Sequence, residues 1–363
     1  MRLTRRSVLG GMTGSVAAAA VIRSSAAQGK GQVVFAGYGG RLQDIWRETQ
    51  FIPFEKATGI KVVDTTGISL AKVRAMVKTG NVEWDVFTSV PSEALVLAQE
   101  GMLEEIDYSR FSKDVIDGSP ADTRFKHGIG SFWTSQCIAF NTRTYAPGGR
   151  PRPKNWRDVW DVANFPGKRM FPAGDYVVNP IEPALLADGV PRDKLYPLDL
   201  TRAYASLTKI RPHVVRWVRS SGAIPQAIVD GEADIGFMNG ARAAELKDQG
   251  APIDHIWDEG MINNAYMNIP KGAKNYDNAL RFLDFIFSGP ILAASTRGTI
   301  TAGPVNNNAL NFLSQAEKEK LNSYPPTFAK QVRLQQAWWA EVDGSGVSNL
   351  DRNAKMWNAW STT

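Results

Sequence analysis

The segment Val33-Val34-Phe35-Ala36-Gly37-Tyr38-Gly39-Gly40 gives the first indication of the fold. Its apolar beginning is typical of a short buried strand. A helix is predicted from about Arg41 to Ala57, and it stops at Gly59. The apolar run Ile60-Lys61-Val62-Val63 follows as a second strand. This strand–helix–strand order predicts an α/β protein.

The same alternation continues along the chain. Leu70, Val73 and Val77 recur at helical spacing, and Asp85-Val86-Phe87-Thr88 predicts a third strand. Ser92 is predicted to cap the next helix. Strands that alternate with helices predict a parallel sheet with helices on both faces.

An interruption then divides the pattern. Gln136-Cys137-Ile138-Ala139-Phe140 predicts a strand that leads into a loop rich in Pro, Gly and Arg over residues 147–153. A second alternation follows, another strand is predicted near Tyr266, and a very apolar helix is predicted around residues 280–287. The length of 363 residues is that of about two domains.

Composition and motifs exclude several classes of function. With 21% charged and 43% hydrophobic residues the chain is that of a folded protein. A single cysteine, Cys137, excludes an internal disulfide and a cysteine-based metal site. No esterase elbow, Walker loop or His-Glu-x-x-His motif occurs. We therefore expect no catalytic residues, no metal and no cofactor.

A dinucleotide site is the one cofactor alternative that the first strand raises. Gly37-x-Gly39 follows a strand as in a nucleotide-binding fingerprint, but Leu42 occupies the place of the third glycine. The pattern is therefore incomplete and does not favour a nucleotide.

The N-terminus has the pattern of a targeting segment. Arg5 and Arg6 form a twin arginine, a Gly/Ala-rich apolar stretch runs from Gly10 to Ile22, and Ser25-Ala26-Ala27 offers a signal-peptidase site. We expect residues 1–27 to be a twin-arginine signal peptide, removed after Ala27, which places the protein in the periplasm.

Removal of this segment changes the charge. It holds four arginines and no acidic residue, so the formal net charge falls from +6 to +2. The remaining basic residues are interspersed with acidic ones, whereas nucleic-acid binding requires clustered Lys and Arg. We expect no nucleic-acid partner.

Several motifs together resemble a known family. Phe54-Glu55-Lys56-Ala57-Thr58-Gly59-Ile60-Lys61-Val62 is similar to the first helix-to-strand junction of ABC-transporter solute-binding proteins, in the spermidine/putrescine-like branch. The similarity continues in family order almost to the C-terminus. The other motifs are Glu83-Trp84-Asp85-Val86, Asn155-Trp156-Arg157-Asp158-Val159-Trp160-Asp161, Phe165-Pro166-Gly167-Lys168-Arg169, Asp230-Gly231-Glu232-Ala233-Asp234, Ile269-Pro270-Lys271-Gly272 and Trp357-Asn358-Ala359-Trp360.

The resemblance implies a two-lobe periplasmic-binding-protein fold. Each lobe is then a sheet flanked by helices, and crossing strands join the lobes at a hinge that closes around a solute. The expected division is 30–137 plus 265–301 for lobe I, and 138–264 plus 302–363 for lobe II. The implied partners are a small-molecule ligand and the subunits of an inner-membrane ABC permease, and the protein is expected to be a monomer.

Candidate ligand-binding residues in lobe I follow from the rule that ligands lie at the carboxyl ends of strands. The rule selects Tyr38, Gly39 and Gly40 after the first strand, where glycines let backbone N–H groups approach a ligand. It also selects Ser89, Val90 and Ser92 after the third. The alternatives are a tight turn for the glycines and a helix cap for Ser92.

Other candidates lie at the crossings and in lobe II. Trp133 precedes the first crossing strand and could stack on a solute, or pack in the core. Arg242 could pair with a carboxylate or lie in solvent. The remaining candidates are Asp175, Tyr176, Asn179, Ser221, Gly222, Asn239, Asn264 and Tyr266.

The expected class of ligand follows from three positions where polyamine-binding relatives carry acidic residues and this chain does not. Polyamine-binding relatives hold ammonium groups with carboxylates, and by alignment Tyr176, Asn179 and Ala265 stand at those places. We therefore expect a neutral, zwitterionic or carboxylate-bearing organic solute rather than a polyamine. A periplasmic enzyme and a sensory ligand-binding protein on the same fold remain the alternatives.

Overall fold

The fold is described from a computed structural model that covers residues 31–176, 178–220, 222–299 and 302–362. The predicted signal peptide and Ser221 lie outside the described residues. The strands are β1 Gln32–Ala36, β2 Lys61–Thr65, β3 Val86–Ser89, β4 Arg124–Phe125, β5 Gly128–Asn141, β6 Arg169–Pro172, β7 Val214–Val218, β8 Ile235–Asn239, β9 Ile253–Asn268, β10 Gly303–Pro304 and β11 Val332–Arg333.

The helices separate these strands along most of the chain. They are α1 Gly40–Trp46, α2 Ile52–Thr58, α3 Leu70–Thr79, α4 Pro91–Gln99, α5 Lys113–Gly118, α6 Trp156–Trp160, α7 Ile181–Ala187, α8 Leu200–Ile210, α9 Ala223–Asp230, α10 Gly240–Asp248, α11 Tyr276–Ile286, α12 Gly289–Thr299, α13 Gln315–Glu319, α14 Pro325–Phe328, α15 Gln336–Ala340 and α16 Asn349–Ser361. A π-helical turn over Arg47–Phe51 joins α1 to α2, so the first predicted helix is nearly continuous.

One hydrogen-bonded sheet runs through both lobes in the order β2-β1-β3-β9-β5-β8-β6-β7. Within each lobe the neighbouring short strands are parallel, as predicted. The long strands β5 and β9 are antiparallel to each other and to their neighbours β8 and β3, whereas the short strand β11 pairs with β9 in parallel. The sheet is therefore mixed rather than purely parallel, because the chain returns between the lobes along its two longest strands.

Local signals explain where the early elements begin and end. Gly59 ends α2 in the left-handed conformation, at φ 72°. Ser69 caps α3 by accepting a hydrogen bond from the backbone N–H of Lys72. Ser92, in contrast, does not cap α4: Val90 occupies the N-cap position and Pro91 begins the helix, since proline suits the first helical position.

Helices cover both faces of the sheet in each lobe. Along β1, Val33 and Phe35 lie in one apolar cluster and Ala36 lies in another, since successive strand residues point to opposite faces. In the second lobe the neighbouring residues Ile138 and Ala139 are divided in the same way. The helices on both faces that the alternation predicted are therefore present.

The C-terminal segment contacts both lobes in turn. Val305, Ala309 and Leu321 lie in the apolar cluster of β1, whereas Val332 and Trp357 lie in that of β5 and β8. The predicted division assigned all of residues 302–363 to lobe II. We therefore propose that the last lobe boundary lies between residues 321 and 332.

No single helix of the described ranges has both the length and the apolar composition to cross a membrane. The pair α11 and α12 meets that test only when taken together, and the two helices are bent by 70°. Their apolar side chains, such as Phe282 and Leu292, are buried in the core of the first lobe, which accounts for their composition.

Candidate functional site

A cavity of about 520 Å³ lies between α1 of the first lobe and α10 of the second. Phe132 and Thr134 of β5 also line it. We call it the arginine chamber, because Arg41 and Arg242 both line it. Its other lining residues are Leu42, Ile45, Asn239, Ala241, Glu245, Asp248, Gln249, Gly298, Thr299 and Ala302.

A second cavity of about 350 Å³ lies where the N-terminal ends of α4, α7, α15 and α16 converge. We call it the carboxylate chamber, because its lining includes Asp175, Glu182 and Asp351. The remaining lining residues are Ser92, Val178, Asn179, Phe237, Met261, Leu334, Gln336, Trp339, Leu350 and Ala354.

A third cavity of about 50 Å³, which we call the passage, shares lining residues with both chambers. It shares Asn239 with the arginine chamber, and it shares Val178 and Phe237 with the carboxylate chamber. Tyr176 and Gln136 also line it. The shared residues place the three spaces next to one another, and together we call them the cleft.

The crossing strands present only one of their faces to this cleft. Phe132, Thr134 and Gln136 of β5 line it, and so does Met261 of β9, the cross-strand partner of Gln136. Trp133 lies between these positions and is 2% exposed. Because alternate strand residues point to opposite faces, Trp133 belongs to the other side of the sheet.

Contacts on that other side are those of a packed core. The ring of Trp133 packs edge-on against Phe328, with 5.0 Å between ring centroids, and the guanidinium of Arg333 lies 4.9 Å from its centroid. Core packing, which the sequence left open, accounts for Trp133.

Asn264 and Tyr266 share that face. Asn264 is the cross-strand partner of Trp133, and its side-chain amide donates to the carbonyl oxygen of Ala265 over 3.1 Å. The ring of Tyr266 packs edge-on against Phe125, with 4.8 Å between centroids. Neither residue lines the chambers or the passage.

The predicted glycine turn after β1 leads directly into Arg41, the second residue of α1. The backbone N–H of Gly39 donates to Oε1 of Gln43 over 2.8 Å, so that N–H has an internal partner. Gly39 and Gly40 adopt φ of 76° and 63°, which glycine tolerates best. Tyr38 is 43% exposed. Only Arg41, the next residue, lines a chamber.

The residues after β3 differ in their surroundings. The hydroxyl of Ser89 is buried and donates to Oδ1 of Asn268 over 2.6 Å, so Ser89 links β3 to β9 inside the lobe. Val90 begins α4 and lines neither chamber. Ser92, the second residue of that helix, lines the carboxylate chamber.

The loop before α7 reaches the cleft with all three of its candidates. Asp175 and Asn179 line the carboxylate chamber and Tyr176 lines the passage. Asp175 forms an ion pair with Arg219 over 2.7 Å. The amide oxygen of Asn179 accepts from the backbone N–H of Ile181 over 3.2 Å.

Asn239 and Arg242 stand at the start of α10. The side-chain oxygen of Asn239 caps the helix by accepting from the N–H of Arg242, and its amide group donates to the hydroxyl of Thr134 over 3.1 Å. The guanidinium of Arg242 pairs with Glu245 over 2.7 Å and is half exposed. Gly222 is exposed and lines neither chamber.

Five charged residues that line the chambers were missed: Arg41, Glu182, Glu245, Asp248 and Asp351. Arg41 has no ion pair with any described residue, and it could have been found as the residue after the predicted glycine turn. Glu182 is 2% exposed and follows Ile181 in an apolar helix. Its position gave no sequence signal, because a single acid in a helical first turn is usually a surface residue.

The described residues hold no group of three or more His, Cys, Asp or Glu side chains suited to a metal. Cys137 and His255 are well shielded from solvent, and burial lowers the pKa of His255 to about 4. Their environment is that of interior residues.

Comparison with known proteins identifies the family. The chain matches the bacterial extracellular solute-binding protein family over residues 50–326, which is more than half of its length. It belongs to that family.

Two relatives differ in what they bind. The chain is 28% identical over 350 residues to the gamma-aminobutyric acid-binding protein of Pseudomonas aeruginosa, with 93% of each chain covered. It is 27% identical over 294 residues to the spermidine/putrescine-binding periplasmic protein of Escherichia coli, with 76% of this chain and 81% of the relative covered. The resemblance to the spermidine/putrescine-like branch is confirmed.

Two solved structures share the two-lobe fold. An ABC transporter substrate-binding protein from Bradyrhizobium japonicum superposes with a TM-score of 0.81 at 27% identity, covering 91% of this chain and 99% of that one. The Atu4243-GABA receptor superposes with a TM-score of 0.78 at 30% identity, covering 91% and 97%. The chain is therefore a solute-binding protein of the kind that serves ABC importers.

Proposed function

We propose that this solute-binding protein captures a small carboxylate-bearing organic solute and delivers it to an inner-membrane ABC permease. The observation that carries the proposal is the arginine chamber, where Arg41 and Arg242 line one cavity from opposite lobes. A guanidinium group binds a carboxylate through two parallel hydrogen bonds. Asn239 and Thr134 add an amide and a hydroxyl group.

A carboxylate in this chamber also favours closure of the hinge. It would contact α1 and α10 at once, and a ligand shifts a conformational equilibrium only by its differential affinity for the two states. Arg41, with no ion pair among the described residues, has a full charge to offer. The two relatives named for gamma-aminobutyric acid, a carboxylate-bearing solute, support this ligand class.

Polyamines fit the cleft less well, although one relative binds them. A polyamine carries only cationic groups, so any part of it that reached the arginine chamber would meet the guanidinium groups of Arg41 and Arg242, of which Arg242 pairs with Glu245, and Asp248 also lines the chamber. Ala265, Tyr176 and Asn179 replace the acids that the resemblance leads us to expect in polyamine binders. We propose that spermidine and putrescine bind poorly.

Titration calorimetry with 4-aminobutanoate, spermidine and putrescine tests the proposal. We expect binding of the first and little heat with the other two. Arg242→Ala should weaken binding of the carboxylate solute by roughly 1.5–3 kcal/mol, the usual scale of hydrogen bonds to charged groups. Micromolar binding of spermidine by the native protein would show that the ligand class is wrong.

We further propose that the protein is a monomer and binds its solute without transforming it. The relatives are binding proteins rather than enzymes. Incubation with 4-aminobutanoate followed by mass spectrometry should return the solute unchanged, and sustained turnover would contradict this. Adjacent permease and ATPase genes would separate the importer from a purely sensory role.

Export by the twin-arginine route into the periplasm is proposed from the sequence. The relative from Escherichia coli is named as periplasmic, which supports the destination. N-terminal sequencing of the exported protein should begin at Gln28. A start before Arg23 would contradict cleavage after Ala27.

A further inference from the structure

Glu182 is a buried carboxylate without a charged partner among the residues that the structure describes. Its side chain is in the first turn of α7, and the residue is 2% exposed. Oε1 accepts hydrogen bonds from the hydroxyl of Tyr196 over 2.8 Å and from the indole N–H of Trp339 over 3.0 Å. No other side chain of the described residues donates to this carboxylate, and none forms an ion pair with it.

Such an arrangement is costly for the fold. Removing a carboxylate from water costs several kcal/mol unless a cation compensates for it. Two neutral donors compensate in part, and burial raises the pKa of the Glu182 carboxyl above its usual range. A group that only has to stabilise the first turn of a helix does so from an exposed position.

The surroundings of Glu182 favour a positive charge. Asp175 and Asp351 line the same chamber, and none of the described residues that line it is Lys or Arg. The aromatic rings of Trp339 and Phe237 form apolar walls, which suit the methylene groups beside an ammonium and attract its charge. Asp175 has a cationic partner in Arg219, whereas Glu182 has none.

We propose that the carboxylate chamber binds an ammonium group of the solute at Glu182. The solute is then zwitterionic and has one orientation, with its ammonium group beside α7 and its carboxylate between α1 and α10. The passage, which shares lining residues with both chambers, then holds the methylene groups that join the ammonium group to the carboxylate. The orientation rests on the proposed function, but the ammonium site rests on Glu182 and its chamber alone.

Glu182→Gln separates this role from a structural one. Because both Tyr196 and Trp339 donate to the same oxygen, the amide oxygen of glutamine can accept both hydrogen bonds. The substitution removes the charge and keeps the packing. Thermal unfolding of the variant should show a folded protein.

Two half-ligands are the probes, each titrated against the native protein by ligand-observed NMR. Butylammonium carries only the cation and butanoate only the anion. We expect Glu182→Gln to weaken the binding of butylammonium by about tenfold or more, which is the scale of one charge-assisted hydrogen bond. Butanoate binding should be unchanged. Glu232→Gln, which removes an exposed acid that pairs with Arg216, is the matched control and should change neither.

Four outcomes are decisive. If butylammonium does not bind the native protein, or if Glu182→Gln binds it equally well, the ammonium site is refuted. Equal weakening of both probes would show that Glu182 acts only through the shape of the cleft, and would also refute it. If butanoate alone does not bind the native protein, the carboxylate proposal is contradicted and the ammonium site is not.

Discussion

The two chambers of the cleft border different crossing strands, β5 and β9, and hold their charges in opposite ways. Arg242 in the arginine chamber is half exposed and pairs with a residue one helical turn away. Glu182 in the carboxylate chamber is almost fully buried, among an indole, a phenol and apolar side chains. A half-exposed charge remains solvated and costs the fold little, whereas a buried charge must be held by its neighbours.

This difference suggests separate tasks for the two ends. The arginine chamber offers side chains from both lobes, so a ligand there couples binding to closure. The carboxylate chamber is built mainly from the second lobe and the C-terminal segment, with Ser92 of α4 as its contribution from the first. Substitutions at the two ends should therefore have different effects on stability and on affinity.

The largest expected effect is on stability, at Glu182. Glu182→Ala removes the acceptor of two buried donors, Tyr196 and Trp339, and should lower the free energy of unfolding by about 2–4 kcal/mol. Urea unfolding monitored by tryptophan fluorescence measures it. Glu182→Gln is the control, and its free energy of unfolding should fall far less. Equal losses in the two variants would show that the charge, and not the hydrogen bonds, holds this end together.

Substitution of Arg41 should instead change ligand affinity and leave stability nearly unchanged. Arg41→Ala is expected to weaken the binding of 4-aminobutanoate by roughly 1.5–3 kcal/mol, because the substitution removes a charged hydrogen-bond donor to the carboxylate. Unfolding stability should stay within about 0.5 kcal/mol of the native value, as for most surface substitutions. Arg281→Ala, an exposed arginine of α11 outside the chambers, is the control. An affinity unaffected by Arg41→Ala would assign the carboxylate to Arg242 alone.

The dependence of stability on pH should also distinguish the two ends. Burial raises the pKa of Glu182, so the folded state holds this proton more tightly than the unfolded state does. The contribution of Glu182 to stability therefore falls as pH rises from about 4, near the pKa of an unfolded Glu, through the folded pKa. Without ligand, Glu182→Gln should gain stability relative to the native protein over that range. Parallel unfolding curves from pH 4 to 8 would contradict the raised pKa.

The smallest effect is expected at the floor of the arginine chamber. Thr134→Val removes the hydroxyl that accepts a hydrogen bond from the Asn239 amide. The substitution should weaken the binding of butanoate by about 1 kcal/mol, the size of an ordinary hydrogen bond. Butylammonium binding should not change. Weakening of both probes by Thr134→Val would mean that the two chambers do not bind separate ends of the solute.

Much of the secondary structure could be predicted, because local signals decide it. The helix stop at Gly59 and the cap at Ser69 both occur as the residue types require. The crossing strands were harder: β9 was predicted only near Tyr266 but spans sixteen residues. A strand that runs between two lobes carries the packing pattern of each in turn, so no single periodicity marks its length.

The structure brings some of the candidate site residues together and places others elsewhere. Ser92, Asp175, Tyr176, Asn179, Asn239 and Arg242 line the chambers or the passage, whereas Trp133, Asn264 and Tyr266 lie on the opposite face of the sheet. This difference in placement has one cause. A shift of a single position along a strand moves a side chain to the other face, and the sequence did not indicate which face of β5 and β9 borders the cleft.

The sequence by itself determined the family, the alternation of strands and helices, and the loops that end near the cleft, because these follow from short motifs and from local backbone preferences. Only the tertiary structure decided that Arg41 and Arg242 share a chamber although about two hundred residues separate them in the chain. It also decided that the carboxylate of Glu182 is buried beside Trp339. Which charges meet, and how much water reaches them, depends on how distant elements pack, and no local pattern records that.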